Sequence, residues 1–234
     1  VRLVGSEMCI RDRNINHDGL NLHGWFINRE MSPEHPLIIY YGGNAEEVSN
    51  NLFDLEKYEK ESLLFMNYRG YGKSTGNPSQ ANIFSDALFI FDHFSDTYGI
   101  PSTNIILMGR SLGTAVATYV AKLRHIKAVI LISPFDSLVN IAKEHYPVFP
   151  VKLLLKHPFE SVQIAQGITS PMITIIAGQD RIISNERSVA LVEHWGGESN
   201  YVIIKDAGHN TISIYPQYWD TLKLFLSEME KRSA

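Results

Sequence analysis

Short, almost continuously apolar runs recur along the chain at residues 37–41, 63–67, 105–108, 128–132, 172–177 and 201–205. A run without polar alternation is what a strand buried on both faces requires, as in a parallel sheet. Between these runs the periodicity becomes helical. A helix is expected over 46–61, with Leu52, Phe53 and Leu55 on its apolar side. A second is expected over 79–98, where Ile83, Ala87, Ile90, Phe91 and Phe94 recur at helical spacing. Further helices are expected from Gly113 to about Arg124, over 184–195 with Ser184 as cap, and over 212–229. Residues 14–28 read as a hairpin about the turn signal His17-Asp18-Gly19. One stretch breaks the rhythm: residues 135–169 hold Pro147, Pro150 and Pro158 and only short helical pieces.

This alternation predicts an α/β fold, a doubly wound and mostly parallel sheet with helices on both faces and an N-terminal antiparallel hairpin. There is no internal repeat and no low-complexity linker, so residues 14–234 are expected to form a single domain. The excursion 135–169 is read as a short lid-like insertion, too short for a full cap domain. Most of its apolar residues, Tyr146, Phe149, Val151, Leu153, Leu154 and Leu155 among them, are expected to pack on the sheet. Any left exposed would offer surface to an acyl group.

Residues 1–13 carry mixed charges without periodicity and are set apart as a non-native or disordered leader. They resemble a stretch found at the ends of unrelated open reading frames, where it reads as translated sequencing adaptor. The resemblance implies that Cys9 is not native, that the native charge is 18 − 23 = −5, and that the native N-terminus is missing. Localisation then stays open, with the cytoplasm only a default. The whole chain of 234 residues carries 21 Lys and Arg against 25 Asp and Glu, a net charge of −4. Its basic residues are scattered, so neither nucleic-acid binding nor a polybasic patch is expected. The single cysteine excludes an intramolecular disulfide and a cysteine-based metal site. No apolar run reaches the length of a membrane span. Membrane association and oligomeric state remain open.

The strand at 105–108 meets Gly109-Arg110-Ser111-Leu112-Gly113, and small residues and helix formers follow. G-x-S-x-G between a strand and a helix is the setting of a nucleophile elbow, in which Gly109 and Gly113 must be small for the turn to close. The turn lifts the serine hydroxyl clear of the sheet, at a helix N-terminus that favours developing negative charge. A serine hydroxyl is a weak nucleophile until a base takes its proton, and the base needs an acid to orient it. In an open sheet such groups gather beyond the carboxyl ends of the strands. The loops at 42–45, 109–113, 179–180 and 208–209 fall there. They supply Ser111, Asp180 and His209 in the chain order serine, acid, histidine. Asp136 is the fallback acid, and Asp206 a weaker rival close to His209. Of the other histidines, His23, His125 and His194 are read as solvated or hydrogen-bonded, while His145 and His157, in the excursion, are read as surface residues with a place lining a substrate cleft as the alternative. Backbone N–H donors for a developing oxyanion are expected from Leu112 and from Asn44. Gly72-Lys73-Ser74 hints at a phosphate loop and Gly70-x-Gly72 at a dinucleotide fingerprint. Position 67 is Asn and position 75 is Thr where each motif needs glycine, so both fail. No histidine–carboxylate spacing suggests a metal.

Elbow, strand order and loops together resemble the α/β-hydrolase superfamily, specifically its serine aminopeptidase-like and abhydrolase-domain branch. The resemblance rests on the loop from Asn67 to Gly76, on Gly109–Gly113, on Ser133-Pro134-Phe135, on Gly178-Gln179-Asp180 and on Gly208-His209-Asn210. It covers roughly residues 18–227. It implies the α/β-hydrolase fold, with Ser111 as nucleophile, Asp180 as acid and His209 as base. The expected activity is that of a cofactor-free serine hydrolase, cleaving a carboxylic ester, thioester or amide through an acyl-enzyme. The expected partner is a small-molecule acyl substrate, with no metal and no nucleic acid. One departure stands out: Gly42-Gly43 occupies the place where the branch usually has histidine-glycine. The competing reading is a non-catalytic ligand-binding or interaction protein on the same scaffold.

Overall fold

The computed structural model describes residues 9–29 and 35–232. It opens with a hairpin of β1 (Cys9–His17) and β2 (Leu20–Asn28), joined by Asp18 and Gly19. Both turn residues have positive φ, 53° and 74°, the two-residue turn whose twist matches that of the strands. The hairpin therefore starts earlier than the sequence pattern suggests: Cys9–Arg13, set apart as leader, pair with β2. A ladder is closed by backbone N–H and C=O groups, so an edge strand needs no apolar periodicity to join it. Residues 1–8 lie outside the described residues.

Six further strands follow, β3 (Leu37–Tyr41), β4 (Ser62–Met66), β5 (Ile105–Arg110), β6 (Ala128–Ile132), β7 (Met172–Ala177) and β8 (Ser199–Ile204). The sheet order is β1-β2-β4-β3-β5-β6-β7-β8, antiparallel from β1 through β4 and parallel from β4 to β8. The continuous apolar runs are explained by this placement. Along β3, Leu37, Ile39 and Tyr41 face one core, and Ile38 and Tyr40 face the other. Along β5, Ile105 and Leu107 divide from Ile106 and Met108 in the same way. Each such side chain contributes roughly 1.5–3 kcal/mol by leaving water.

One face is covered by α1 (Gln80–Tyr98), α2 (Leu112–Leu123) and α6 (Asn185–Glu193). The other is covered by a 3-10 helix at Val48–Lys57 and by α7 (Pro216–Lys231). Ser79 caps α1 by accepting from the Asn82 N–H, and Gly99 ends it in the left-handed region. Three helix expectations need correction. The 46–61 helix is a shorter 3-10 helix that leaves Phe53 86% exposed, because side chains three apart eclipse and the apolar stripe cannot turn onto the sheet. Ser184 precedes α6 without a side-chain cap, and its hydroxyl turns to Glu144. The closing helix is split, with a short turn at Ile212–Ile214 before Pro216 starts α7 at the position where a missing N–H costs nothing.

The excursion carries α3 (Leu138–His145), α4 (Val151–Leu154) and α5 (Val162–Ala165). Here the packing expectation fails. Val151 is buried, but Tyr146, Phe149, Leu153 and Leu154 are exposed. A helix of four residues turns barely once, so it can direct only one side chain inward. No helix among the described residues is long and apolar enough to cross a membrane.

Candidate active site

The swap of β3 and β4 in the sheet makes β3 and β5 neighbours whose chains leave in different directions. That switch point opens a crevice beyond their carboxyl ends. The loop after β3 and the Gly109–Gly113 turn face each other across it. A Cβ on Gly113 would lie 1.9 Å from the Tyr41 carbonyl oxygen, and one on Gly109 would lie 2.4 Å from the Gly113 carbonyl oxygen. Both glycines are there for space. Between them Ser111 has φ 51° and ψ −117°, a backbone state that costs of order 1–3 kcal/mol and persists only when its surroundings hold it. Its N–H donates to the Ile132 carbonyl at the end of β6 (2.9 Å), and its own carbonyl accepts from the Thr114 N–H (2.9 Å).

The structure brings Ser111, His209 and Asp180 into one chain of hydrogen bonds. Ser111 Oγ lies 3.0 Å from His209 Nε2, and His209 Nδ1 lies 2.7 Å from Asp180 Oδ2. The other Asp180 oxygen accepts from the N–H groups of Ile182 and Ile183, both at 2.9 Å. Burial pushes the Asp180 carboxyl up, but the His209 hydrogen bond and these two N–H groups outweigh it and hold the group below the ordinary aspartate value. An ionised Asp180 only accepts, so His209 carries its proton on Nδ1 and leaves Nε2 free to accept from Ser111. The two loops are stitched together by the Gln179 N–H donating to the Ala207 carbonyl (2.8 Å). Asp136, the fallback acid, is occupied elsewhere by the Ser137 N–H, Asn140 and Arg187. His145 bonds the Ile182 carbonyl (3.0 Å), and His157 accepts from the Gln80 N–H (3.4 Å), so both tie the excursion down.

The loop after β3 has one donor already spent. The Gly43 N–H donates to Glu46 Oε2 (2.7 Å), whereas no acceptor among the described residues takes the N–H of Asn44 or Leu112. Tyr71 donates to Asn44 Oδ1 (2.9 Å), and Asn67 bridges to Glu47 and to the Val48 N–H. The loop between Asn67 and Gly76 thus supports the loop after β3 from outside.

Sequence reasoning missed the pair that ties the crevice together. Glu46 also accepts from Tyr40 (2.8 Å), Asn51 (2.9 Å) and Arg110 Nη1 (3.0 Å). Arg110 Nη2 donates onward to Asn210 Oδ1 (2.8 Å) and to the His209 carbonyl (3.3 Å). One guanidinium therefore links the loop after β3, the elbow and the histidine loop. The available signal was Arg110 itself, a fork-shaped donor immediately before the serine.

An eight-stranded sheet of this order, with serine, histidine and aspartate on three loops at one edge, is the architecture of the α/β hydrolases. Residues 93–227 match the family model described as serine hydrolase. The chain is 30% identical over 219 residues to Rv2307c, an uncharacterised protein of Mycobacterium tuberculosis, covering 90% of this chain and 76% of that one. It is 30% identical over 190 residues to the human alpha/beta hydrolase domain-containing protein 17C, covering 80% of this chain but 53% of that relative. The α/β hydrolase GrgF from Penicillium sp. sh18 superposes with a TM-score of 0.75 at 17% identity, covering 96% of this chain and 99% of that one. The Pyrococcus furiosus esterase Pf2001 superposes with a TM-score of 0.72 at 19% identity, covering 99% and 96%. These two likenesses show the fold alone. The chain belongs to the serine hydrolase family of the α/β-hydrolase superfamily, and it is an enzyme of that class.

Proposed function

We propose that the protein hydrolyses a carboxylic ester, thioester or amide through an acyl-enzyme on Ser111. The observation that carries this is the unbroken chain Ser111–His209–Asp180, with both links within hydrogen-bond reach. His209 takes the Ser111 proton as Oγ attacks the substrate carbonyl, and returns it to the leaving group. Asp180 keeps the imidazole in the required tautomer and stabilises its charged form. The negative oxygen of the tetrahedral intermediate is held by the N–H groups of Leu112 and Asn44. The Leu112 N–H stands in the first turn of α2, where no intrahelical acceptor exists. Asn44 is the better donor than Gly43, whose N–H is committed to Glu46. Water activated by His209 then attacks the acyl-enzyme and frees Ser111. A purely binding role would not require Ser111 Oγ to sit 3.0 Å from a histidine already oriented by a carboxylate.

The test is hydrolysis of p-nitrophenyl esters of increasing chain length beside aminoacyl amides. The wild type should cleave at least one series, with release abolished in Ser111→Ala. An inert wild type, or activity that survives the substitution, would contradict the proposal.

A further inference from the structure

On the face of the sheet covered by α7, the structure holds a cavity of about 210 Å³. It is lined by Met108 of β5 and Ile132 of β6, and by side chains of the 3-10 helix Val48–Lys57, of α7 and of the loop after β8. That volume is below the roughly 300 Å³ at which drug-sized ligand sites begin, so the cavity takes a small molecule. Asn50 and Asn210, which also line it, are exposed, so it is reached from solvent. It shares one wall with the crevice, the Glu46–Arg110 pair.

Several polar groups of this lining have no internal partner. Tyr218 is 4% exposed, and its O–H finds no acceptor among the described residues. The buried Tyr58 O–H meets only the Met108 sulfur, a weak acceptor, at 3.6 Å. Asp54 has no hydrogen bond and no cation within ion-pair distance among the described residues, and Lys57, one turn on, pairs with Glu56 at 3.5 Å. Burial raises the Asp54 carboxyl above the ordinary aspartate value, although Lys57 pulls it the other way. The remaining charges on the wall cancel, since Glu46 and Arg110 lie 3.0 Å apart. Burial pushes the phenols of Tyr40, Tyr58 and Tyr218 upward, so they stay neutral. An uncompensated negative charge is left, at Asp54.

Three of the lining rings stand at right angles. Trp219 meets Tyr58 with centroids 5.9 Å apart at 88°, and Tyr218 with centroids 4.8 Å apart at 84°. The Trp219 N–H donates to the Ser213 carbonyl (2.8 Å), which fixes the indole in place. Aromatic faces attract cations, and tryptophan does so most strongly. Perpendicular rings beside an unpaired carboxylate therefore suit an organic cation. A metal ion such as calcium suits the cavity less well, because it takes six or more oxygen ligands. No group of three or more His, Cys, Asp or Glu among the described residues could hold one.

We propose that this cavity binds a small organic ammonium ion. Its charged head is held between the Asp54 carboxylate and the rings of Tyr58, Tyr218 and Trp219, and a hydroxyl or N–H on the ion meets the tyrosine oxygens. The site contains neither Ser111 nor His209, so it stands apart from the hydrolase reading above.

The test is a ligand-observed NMR titration of the full chain, as Ser111→Ala, with choline and with its neutral isostere, in which carbon replaces the nitrogen. Binding read on this variant does not depend on whether Ser111 is catalytic. Choline should bind, and the isostere should bind at least about tenfold more weakly. Adding Asp54→Asn, which keeps the shape and removes the charge, should weaken choline about tenfold or more with thermal melts unchanged. Adding Trp219→Leu should weaken it roughly 2- to 30-fold. Absence of choline binding would overturn the proposal, as would binding that Asp54→Asn leaves unchanged. Equal affinity for choline and its isostere would also overturn it, and would assign the cavity to a neutral molecule instead.

Discussion

The crevice and the excursion meet at the loop after β7, where Asp180 bonds His209 and the Ile182 carbonyl, two residues on, bonds His145, yet they are built on opposite principles. In the crevice almost every polar atom is engaged. Glu46 accepts from four groups, Arg110 donates to three, and Asp180 accepts from His209 and two backbone N–H groups. Backbones there approach so closely that a single Cβ does not fit. At the tip the backbone is tied at its ends and the side chains face outward. Geometry that must be held to a fraction of an ångström is fixed by saturated hydrogen bonding on rigid strand ends. At the tip the rings of Tyr146 and Phe149 meet each other and stay exposed.

That contrast can be broken most severely at Asp180. Asp180→Asn keeps the shape but favours the wrong tautomer of His209, and kcat should fall on the order of 10⁴-fold. The same substitution sharpens an acid-stability argument. The folded carboxyl has a lowered pKa, so its contribution to stability is complete above the ordinary aspartate value and is lost as pH falls through the lowered one. Denaturant titrations at a series of pH values should show that acid-side loss reduced in Asp180→Asn. Next comes Gly113→Ala, whose added Cβ meets the Tyr41 backbone at 1.9 Å and not a yielding side chain. It should destabilise the fold by about 3 kcal/mol or more, a drop of roughly 6–12 °C in Tm. Arg110→Ala should be milder. It frees the loop after β3 and the histidine loop without removing a reacting group. Steady-state kinetics should show kcat falling roughly 10- to 100-fold with KM little changed, and Arg110→Lys should recover only part of it. Smallest of all, Val148→Asp at the tip should change stability by less than about 0.5 kcal/mol. A large loss of Tm there would mean that the tip is packed in solution and that the contrast is mistaken.

The legible parts of the molecule were those whose physics is local or ordinal. Strands buried on both faces announce themselves as unbroken apolar runs, and β3 to β7 each lie within about two residues of theirs; β8 does too, although it is a partly exposed edge strand. Ser111, Asp180 and His209 were legible because this sheet brings the ends of its strands to one edge, so order along the chain maps onto position. The bonds that hold the crevice were not. Glu46 and Arg110 lie 64 residues apart in sequence and meet only because β3 and β5 are neighbours. The excursion departs from its apolar pattern for a related reason. Apolar composition predicts burial only where an element is long enough to present a face, and α4 is not.

The claim at the centre of this account is that Ser111 is the nucleophile. Labelling with a fluorophosphonate, followed by peptide mass spectrometry, tests it most directly. A single adduct on Ser111, absent from Ser111→Ala and slowed in Asp180→Asn, is the predicted result. No adduct on the folded wild type, or an adduct on another residue, would contradict it.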